Sequence, residues 1–308
     1  MLNLLSKTPN FKFMRWRLVF FAFSVTLMLG SIGSYFARGL NFGIDFEGGI
    51  LVEVRTPKPA DLAAMRGTLN GLGLGEVELQ EFGAPTDVLI RLQMQEGGEE
   101  AQQRVVEAVR GVLGKDVEYR RVEFVGPKVG SELIRAGVIS VLLAMASIMI
   151  YVWFRFEWQF GVCAVIALLH DVTATAGIFS LFQMEFNLTT VAALLTIAGY
   201  SINDTVVIYD RVRENLRKYK RMPLEELFNL SINETLSRTL RTSTTTLVAV
   251  LALYLFGGKV ISGFSFAMLF GIIVGTYSSI CVALPMVLHL NIRRDGEGSA
   301  QAVEKAPV

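Results

Sequence analysis

Six stretches of this chain are apolar for long enough to cross a lipid bilayer, which takes roughly 20 residues of helix. They run Leu18–Phe36, Ala136–Phe154, Phe160–Phe182, Leu188–Tyr209, Thr242–Phe256 and Phe264–Leu290. Hydrocarbon offers no partner to backbone N–H and C=O groups, so a crossing segment must be a helix or a strand of a closed barrel. Continuous apolar runs of this length suit helices. The first has no clear A-x-A site, which suits an uncleaved span better than a signal peptide. The fifth is short, and its helix is expected to begin near Arg238. Of all residues 52% are hydrophobic, high for a soluble chain. Cys163 and Cys281 both fall inside predicted spans and read as small packing residues, not as a disulfide, metal or redox pair.

Charge is sorted by loop, so the net value of +1 carries no argument about nucleic acid, and none is expected as a partner. Lys7, Lys12, Arg15 and Arg17 precede the first span. Arg211, Arg213, Arg217, Lys218, Lys220 and Arg221 follow the fourth, and Arg293 and Arg294 follow the sixth. The turns Gln183–Asn187 and Gly257–Gly263 on the other side contain only Lys259. Basic residues stay on the cytoplasmic side, which puts both termini there. The expected divisions are a cytoplasmic segment 1–17, a first span 18–37, an outer domain 38–135, spans two to six over 136–290 and a cytoplasmic tail 291–308.

The outer domain reads as strand Ile50–Arg55, helix Ala60–Leu72, strands Val77–Glu81 and Val88–Met94, helix Glu99–Leu113 and strand Val117–Phe124. The order β-α-β-β-α-β predicts a ferredoxin-like α+β sandwich. The domain lacks His and Cys. Its Gly71-Leu-Gly-Leu-Gly75 follows a helix and precedes a strand, the reverse of a nucleotide-binding loop, and reads as a helix cap and turn. The domain therefore touches something rather than performing chemistry.

Three places break the apolar pattern: His170-Asp171 in span three, Tyr200 with Asn203 and Asp204 in span four, and Arg238 and Arg241 at the start of span five. An ionisable residue at bilayer depth costs a few kcal/mol or more and marks a functional site by default. At 3.6 residues per turn Thr196, Tyr200, Asn203 and Asp204 share a side that should face helices or water, with Thr189 and Ala193 above. Ala164, Ala167, Asp171 and Ala174 form a small-residue stripe that turns Asp171 or His170 toward the bundle core. Gly271 and Gly275 form G-x-x-x-G, which suits close helix packing. Asp204 either locks helices together in a static network or takes up and releases a proton with an arginine as partner. Low dielectric favours a neutral carboxyl and a nearby arginine favours the ionised one, so a moving arginine switches the group. His170-Asp171 reads equally as a relay and as a packing pair. Asp210 beside Arg211 and Arg213 reads as a solvated charge, Arg241 as a snorkelling one, and the same reading is open to Arg238 one turn earlier.

Four motifs in order carry a resemblance: Phe42-Gly-Ile-Asp-Phe-Glu-Gly-Gly49, Ala167-Leu-Leu-His-Asp171, Gly199-Tyr-Ser-Ile-Asn-Asp-Thr-Val-Val-Ile-Tyr-Asp-Arg211, and Leu236-Ser-Arg-Thr239 followed by Thr242-Ser-Thr-Thr-Thr246. The chain resembles the SecF family, the smaller partners of SecD in bacterial protein export. Glu47 stands where that family often has a smaller polar residue; the glycines shaping the turn, Gly48 and Gly49, remain. The resemblance implies a resistance-nodulation-division fold, with six transmembrane helices and a periplasmic ferredoxin-like α+β domain between the first two. It implies an inner-membrane location, SecD as partner, association with the SecYEG channel and with YajC and YidC, and action on translocating preprotein. It assigns proton-driven function to Asp204 and Arg238, with Arg241 the weaker candidate. Asn203, Tyr200, Thr196, His170 and Asp171 support them, and Gly43, Asp45, Gly48 and Gly49 form the periplasmic signature. No catalytic residue, metal or cofactor is implied beyond the proton gradient. Two other readings compete. One is a proton-driven small-molecule exporter half, for which an outer domain of about 90 residues is small. The other is an aspartyl protease built on Asp171 and Asp204, whose context lacks Gly-x-Gly-Asp.

Overall fold

The structure, a computed structural model, describes residues 9–290 apart from 76, 83, 96, 115, 259 and 260. Expectations that rest on Lys7, Lys259, Arg293, Arg294 and the tail 291–308 lie outside the described residues. Among the described residues six helices are long and apolar enough to span a membrane, and a small sheet domain stands between the first two.

A single 3-10 turn, Phe13–Trp16, leads into α1 (Arg17–Arg38), which stops at Gly39 with φ +69°. The outer domain follows as β1 (Asn41–Phe42), α2 (Ile44–Glu47), β2 (Gly49–Arg55), α3 (Leu62–Asn70), β3 (Val77–Phe82), β4 (Ala84–Leu92), α4 (Gly98–Leu113) and β5 (Glu118–Val125). The four long strands pair antiparallel in the order β3-β4-β2-β5, the ferredoxin-like arrangement expected from the element order. Val52 sits opposite Ile90 on one side and Val122 on the other. The alternation that predicts β2 buries Ile50, Val52 and Val54 completely, against Leu69 of α3 and Val105 and Val109 of α4. Asp61 caps α3 by accepting from the N–H groups of Ala63 and Ala64, 3.0 Å each. Gly71 closes α3, and the turn beyond it passes through Gly73 and Gly75 at positive φ. The other sheet face is polar. There Arg55 grips Asp87 at 2.6 and 2.8 Å, and this hydrogen-bonded pairing holds the Asp87 carboxyl below its usual range. Below the sheet a cleft of about 1100 Å³ is lined by Glu53, Leu89 and Arg91 of the sheet and by Glu185 and Thr189.

The membrane part continues with α5 (Pro127–Arg155), α6 (Trp158–Phe182), β6 (Glu185–Phe186), α7 (Leu188–Lys218), α8 (Leu224–Phe256) and α9 (Ser262–Ser278), ending in a π turn, Ser279–Ala283, and α10 (Leu284–Val287). Several helices outrun their apolar stretches. α5 starts at Pro127, not near Ala136, with proline in the first turn where its missing N–H is harmless. α8 starts at Leu224, not near Arg238. Its first half buries Leu227, Phe228, Ser231, Ile232, Thr235 and Leu236 on one face, which hydropathy alone does not register. That face receives the N-terminal segment: Asn233 bonds Phe11 through both its backbone groups (3.0 and 2.9 Å), and Asn229 accepts from the Met14 N–H at 3.0 Å. The π turn is explained by Pro285, which cannot donate to the helix ladder and crowds the carbonyl one turn back.

α6, α7 and α9 form the centre. Most residues in the apolar stretch of the last span (Ser262–Val287) are buried, whereas α5 is largely uncovered, with Val152 near its end in the core. Glycines permit the close crossings. A Cβ at Gly177 would lie 2.6 Å from the Ser31 Cα, so α1 touches α6 backbone to backbone. Gly271 meets Ile197, and a Cβ at Gly275 would lie 3.1 Å from that of Ser201, at the α7–α9 crossing. Gly177→Leu is therefore expected to separate α1 from α6 and to lower the thermal midpoint of the purified protein clearly. Gly33→Leu on α1, where an added Cβ would meet no described atom of another element within 4 Å, should leave it within a few degrees.

Candidate functional site

Two buried carboxylates lie in the bundle, one on α6 and one on α7, and they differ in their hydrogen bonding. Asp171 on α6 is fully buried. Its Oδ1 lies 2.9 Å from His170 Nδ1, and its Oδ2 accepts from Ser201 on α7 at 2.5 Å and from Ser278 on α9 at 2.7 Å. One side chain thus ties three helices together. A second layer extends it: Thr205 and Ser279 lie 2.8 Å apart, and Ser279 donates to the carbonyls of Gly275 (2.9 Å) and Ser201 (3.3 Å). Small residues open this space, since Ala164, Ala167 and Ala174 are all buried along the stripe that points Asp171 inward. His170 is buried too, and among the described residues its Nε2 has no hydrogen-bond partner.

Asp204 lies about one turn of α7 below Ser201, with residues of α8 beside its carboxyl. It is 3% exposed. The Ser243 hydroxyl and the charge of Arg238, both on α8, act on its carboxyl. Ser243 lies 2.8 Å from Thr276 of α9, which completes the α7–α8–α9 contact. Among the described residues Asp204 Oδ2 has no hydrogen-bond partner, and neither do the buried Tyr200 Oη and Thr239 Oγ1.

Arg238 is exposed and among the described residues makes no ion pair within 4.0 Å. Asp204 and Arg238 are therefore neighbours through space, not a closed salt bridge. Arg241 behaves differently: it bends back on its own helix to the Ser237 carbonyl (3.0 Å) and hydroxyl (3.1 Å). The polar face expected on α7 divides. Thr196 and Asn203 are exposed on the outside of this chain, Tyr200 is half-buried, and Asp204 is inside. Successive residues of a helix differ by about 100° in direction, so the boundary falls between Asn203 and Asp204. Asp210 is 43% exposed and pairs with Arg155 at 2.7 Å, as a boundary charge should. Cys163 and Cys281 are free thiols within the packed inner half of the bundle.

The glycine-rich segment after α1 docks the sheet domain onto α7. Gly43 N–H donates to the Phe186 carbonyl at 2.9 Å, and β1 pairs in parallel with β6. The Asp45 carboxylate accepts from the Leu188 N–H at 3.0 Å, at the N-terminus of α7, beside the Asn187–Thr190 capping box. Gly48 (φ +77°) and Gly49 (φ +147°) then turn the chain into β2, in conformations that a side chain would oppose. Arg91 of the sheet pairs with Glu185 of β6.

Residues 105–293 match the family described as protein export membrane protein SecD/SecF, C-terminal, and residues 34–60 match the SecD/SecF GG motif. The chain is 51% identical over 293 residues to protein translocase subunit SecF of Rickettsia rickettsii (strain Sheila Smith), covering 93% of this chain and 94% of that one. It is 48% identical over 308 residues to SecF of Cereibacter sphaeroides, covering 96% and 94%.

The chain belongs to the SecF family of protein translocase subunits.

Among solved structures it is similar to SecDF, a translocon-associated membrane protein from a Thermus species, with TM-score 0.81 and 39% identity over 91% of this chain. It is also similar to SecDF in its super-membrane-facing form, with TM-score 0.69 over 97% of this chain. The chain spans 38% and 40% of those two longer chains. The GG-motif match contains Gly43, Asp45, Gly48 and Gly49, and the longer match contains Asp171, Asp204 and Arg238.

Sequence reasoning missed the hydroxyls. Ser201, Ser243, Thr276 and Ser278 make the contacts that define both carboxylate sites, yet Ser and Thr pass as neutral in apolar spans. Their signal is position: Ser201 and Asp204 sit three apart, and Gly275 and Ser278 likewise, at helical neighbour spacing. Asp171→Ala removes the acceptor of both Ser201 and Ser278 and is expected to cost about 1–3 kcal/mol for each stranded group. Thermal unfolding in detergent should register a large loss, and Asp171→Asn, which keeps one acceptor oxygen, a smaller one.

Proposed function

We propose that the chain is an accessory subunit of the bacterial Sec export machinery. It acts with SecD, uses the proton motive force, and promotes preprotein translocation and release at the periplasmic face. It is a multi-pass inner-membrane protein with cytoplasmic termini, associated with SecYEG and with YajC and YidC. Its work is ion-driven motion of protein on protein, with no covalent catalytic site and no cofactor beyond the gradient. The observation that carries this reading is Asp204: a buried carboxylate with an open oxygen, beside Ser243, with an unpaired arginine on the neighbouring helix.

Movement of Arg238 toward Asp204 favours the ionised carboxylate and expels a proton; movement away favours uptake. Each charge that crosses 100 mV of potential supplies about 2.3 kcal/mol. The outer end of α7 is tied to the sheet domain through Asp45, Gly43 and the Arg91–Glu185 pair, so a shift of α7 reaches the domain that meets the preprotein. Asn203 and Thr196, exposed on this chain alone, are positioned to meet SecD. The exporter reading is disfavoured by the family assignment. The protease reading needs two carboxylates sharing one proton, whereas Asp171 and Asp204 have separate partners.

Asp204→Asn is expected to insert and to co-purify with SecD normally, but to reduce export stimulation and proton flux to the level without the subunit. Wild-type activity in that variant would remove Asp204 from the mechanism. Arg238→Met should give a related defect and Arg241→Met a milder one. Export assayed in vesicles that hold only a proton or only a sodium gradient identifies the coupling ion, expected to be the proton.

A further inference from the structure

On the face of the bundle opposite the sheet domain, a shallow recess of about 400 Å³ opens between the end of α5 and the last turns of α7. Arg155, Asp210, Arg213, Glu214, Arg217 and Lys218 line it, four cations against two carboxylates. Both carboxylates are already engaged. Asp210 pairs with Arg155 at 2.7 Å, and Glu214 pairs with Arg211, outside the recess, at 2.6 Å. Arg213 donates to the Arg155 carbonyl at 2.9 Å, which fixes its guanidinium at the C-terminus of α5. Among the described residues neither Arg213 nor Arg217 has a carboxylate within 4.0 Å. The recess therefore carries uncompensated positive charge on a geometrically fixed arginine.

Its depth relative to the bilayer is set by aromatic residues. The chain has three tryptophans, and two of them, Trp153 and Trp158, flank Arg155 with 64% and 56% exposure. Tryptophan settles at the headgroup level of a membrane. Phe154 between them is 90% exposed, and most of the apolar length of α5 is uncovered within the chain, although Val152 packs into the core. A second recess of about 370 Å³, lined by Trp153, Phe156, Glu157, Trp158 and Gln159, borders the same α5–α6 turn. A cationic pocket at headgroup depth, next to an aromatic one on a helix face open to lipid, matches a ligand with a phosphate at one end and hydrocarbon at the other.

We propose that this recess binds the phosphate of an anionic phospholipid headgroup, held by Arg213 and Arg217 with Arg155 and Lys218 beside them. Arginine suits this task because its planar fork matches phosphate oxygens, and basic pockets beside transmembrane helices take anionic headgroups. The site is separate from the Asp204 region and does not depend on the proton-coupled reading.

The test uses the full chain with Trp16→Phe, so that fluorescence reports Trp153 and Trp158, in phosphatidylcholine nanodiscs. Brominated phosphatidylglycerol and brominated phosphatidylcholine are compared as quenchers. The expected result is half-maximal quenching by the anionic lipid at a roughly tenfold lower mole fraction, falling to about twofold or less in Arg213→Gln/Arg217→Gln. A matched pair in the outer domain, Arg120→Gln/Arg121→Gln, should keep the wild-type preference. Arg217→Gln alone, an exposed and unpaired position, gives the same reading with partial loss if the double variant does not fold. Equal quenching by both lipids overturns the proposal, as does a preference that survives both recess variants. Displacement of the anionic lipid by tens of millimolar inorganic phosphate would make the recess a free-anion site and overturn it too.

Discussion

Asp171 accepting hydrogen bonds from Ser201 and Ser278 is the contact on which the bundle's arrangement depends. Lipid gives helices little hydrophobic reason to associate, so small residues and buried hydrogen bonds must fix their crossings. Here both devices meet at one point. Gly275 brings α9 close enough to α7 for Ser201 and Ser278 to reach the same carboxylate oxygen. The stripe of alanines on α6 lets that carboxylate enter without a bulky neighbour. Ser279 sits in the π turn, where a widened helix directs its hydroxyl both to its own helix and to α7. Pro285 thus has a consequence beyond its missing N–H: the local unwinding it imposes adds a polar contact to the junction.

With α6, α7 and α9 held there, α7 becomes a beam between two unlike ends. Its outer end is capped by Asp45 from the sheet domain and flanked by the β1–β6 pair. Its inner end carries Asp210, Arg211 and Arg213 among the charges of the opposite membrane face. Asp204 lies between them on the side that faces α8, the helix whose apolar half is only 17% buried in this chain. A buried carboxylate between a tightly held helix and a loosely held one can respond to movement of the loose partner without disturbing the junction.

Legibility in the sequence followed the length and regularity of each signal. The alternation Ile50, Val52, Val54 and the order of elements in the outer domain are long-range regularities imposed by a buried sheet face, and they led to the observed topology. The six spans were legible because a bilayer demands a minimum apolar length, but their ends were not. α8 extends well before Arg238 on a face that is amphipathic rather than apolar, and hydropathy averages over faces. The two-residue strands β1 and β6 and the short α2 are too brief to have a period. Asp171 and Asp204 stood out as charges in apolar sequence. What separates their roles did not, because it depends on hydroxyls contributed by other helices.

That separation is one of surroundings, not of residue type. Asp171 has a partner for each oxygen and no exposure, so a change in its charge or position breaks several contacts at once. A group bound in this way is a poor carrier. Asp204 has the same chemistry and nearly the same burial, yet one oxygen is open, and its nearest cation is neither paired with it nor with any described carboxylate. Unmet hydrogen-bonding capacity inside a membrane protein is costly, and a fold able to satisfy Asp171 so fully has the means to satisfy Asp204. The two carboxylates thus differ in their surroundings: Asp171 is bound by hydroxyls of two other helices, whereas Asp204 lies beside Ser243 and Arg238 of α8, an arginine that pairs with no described carboxylate.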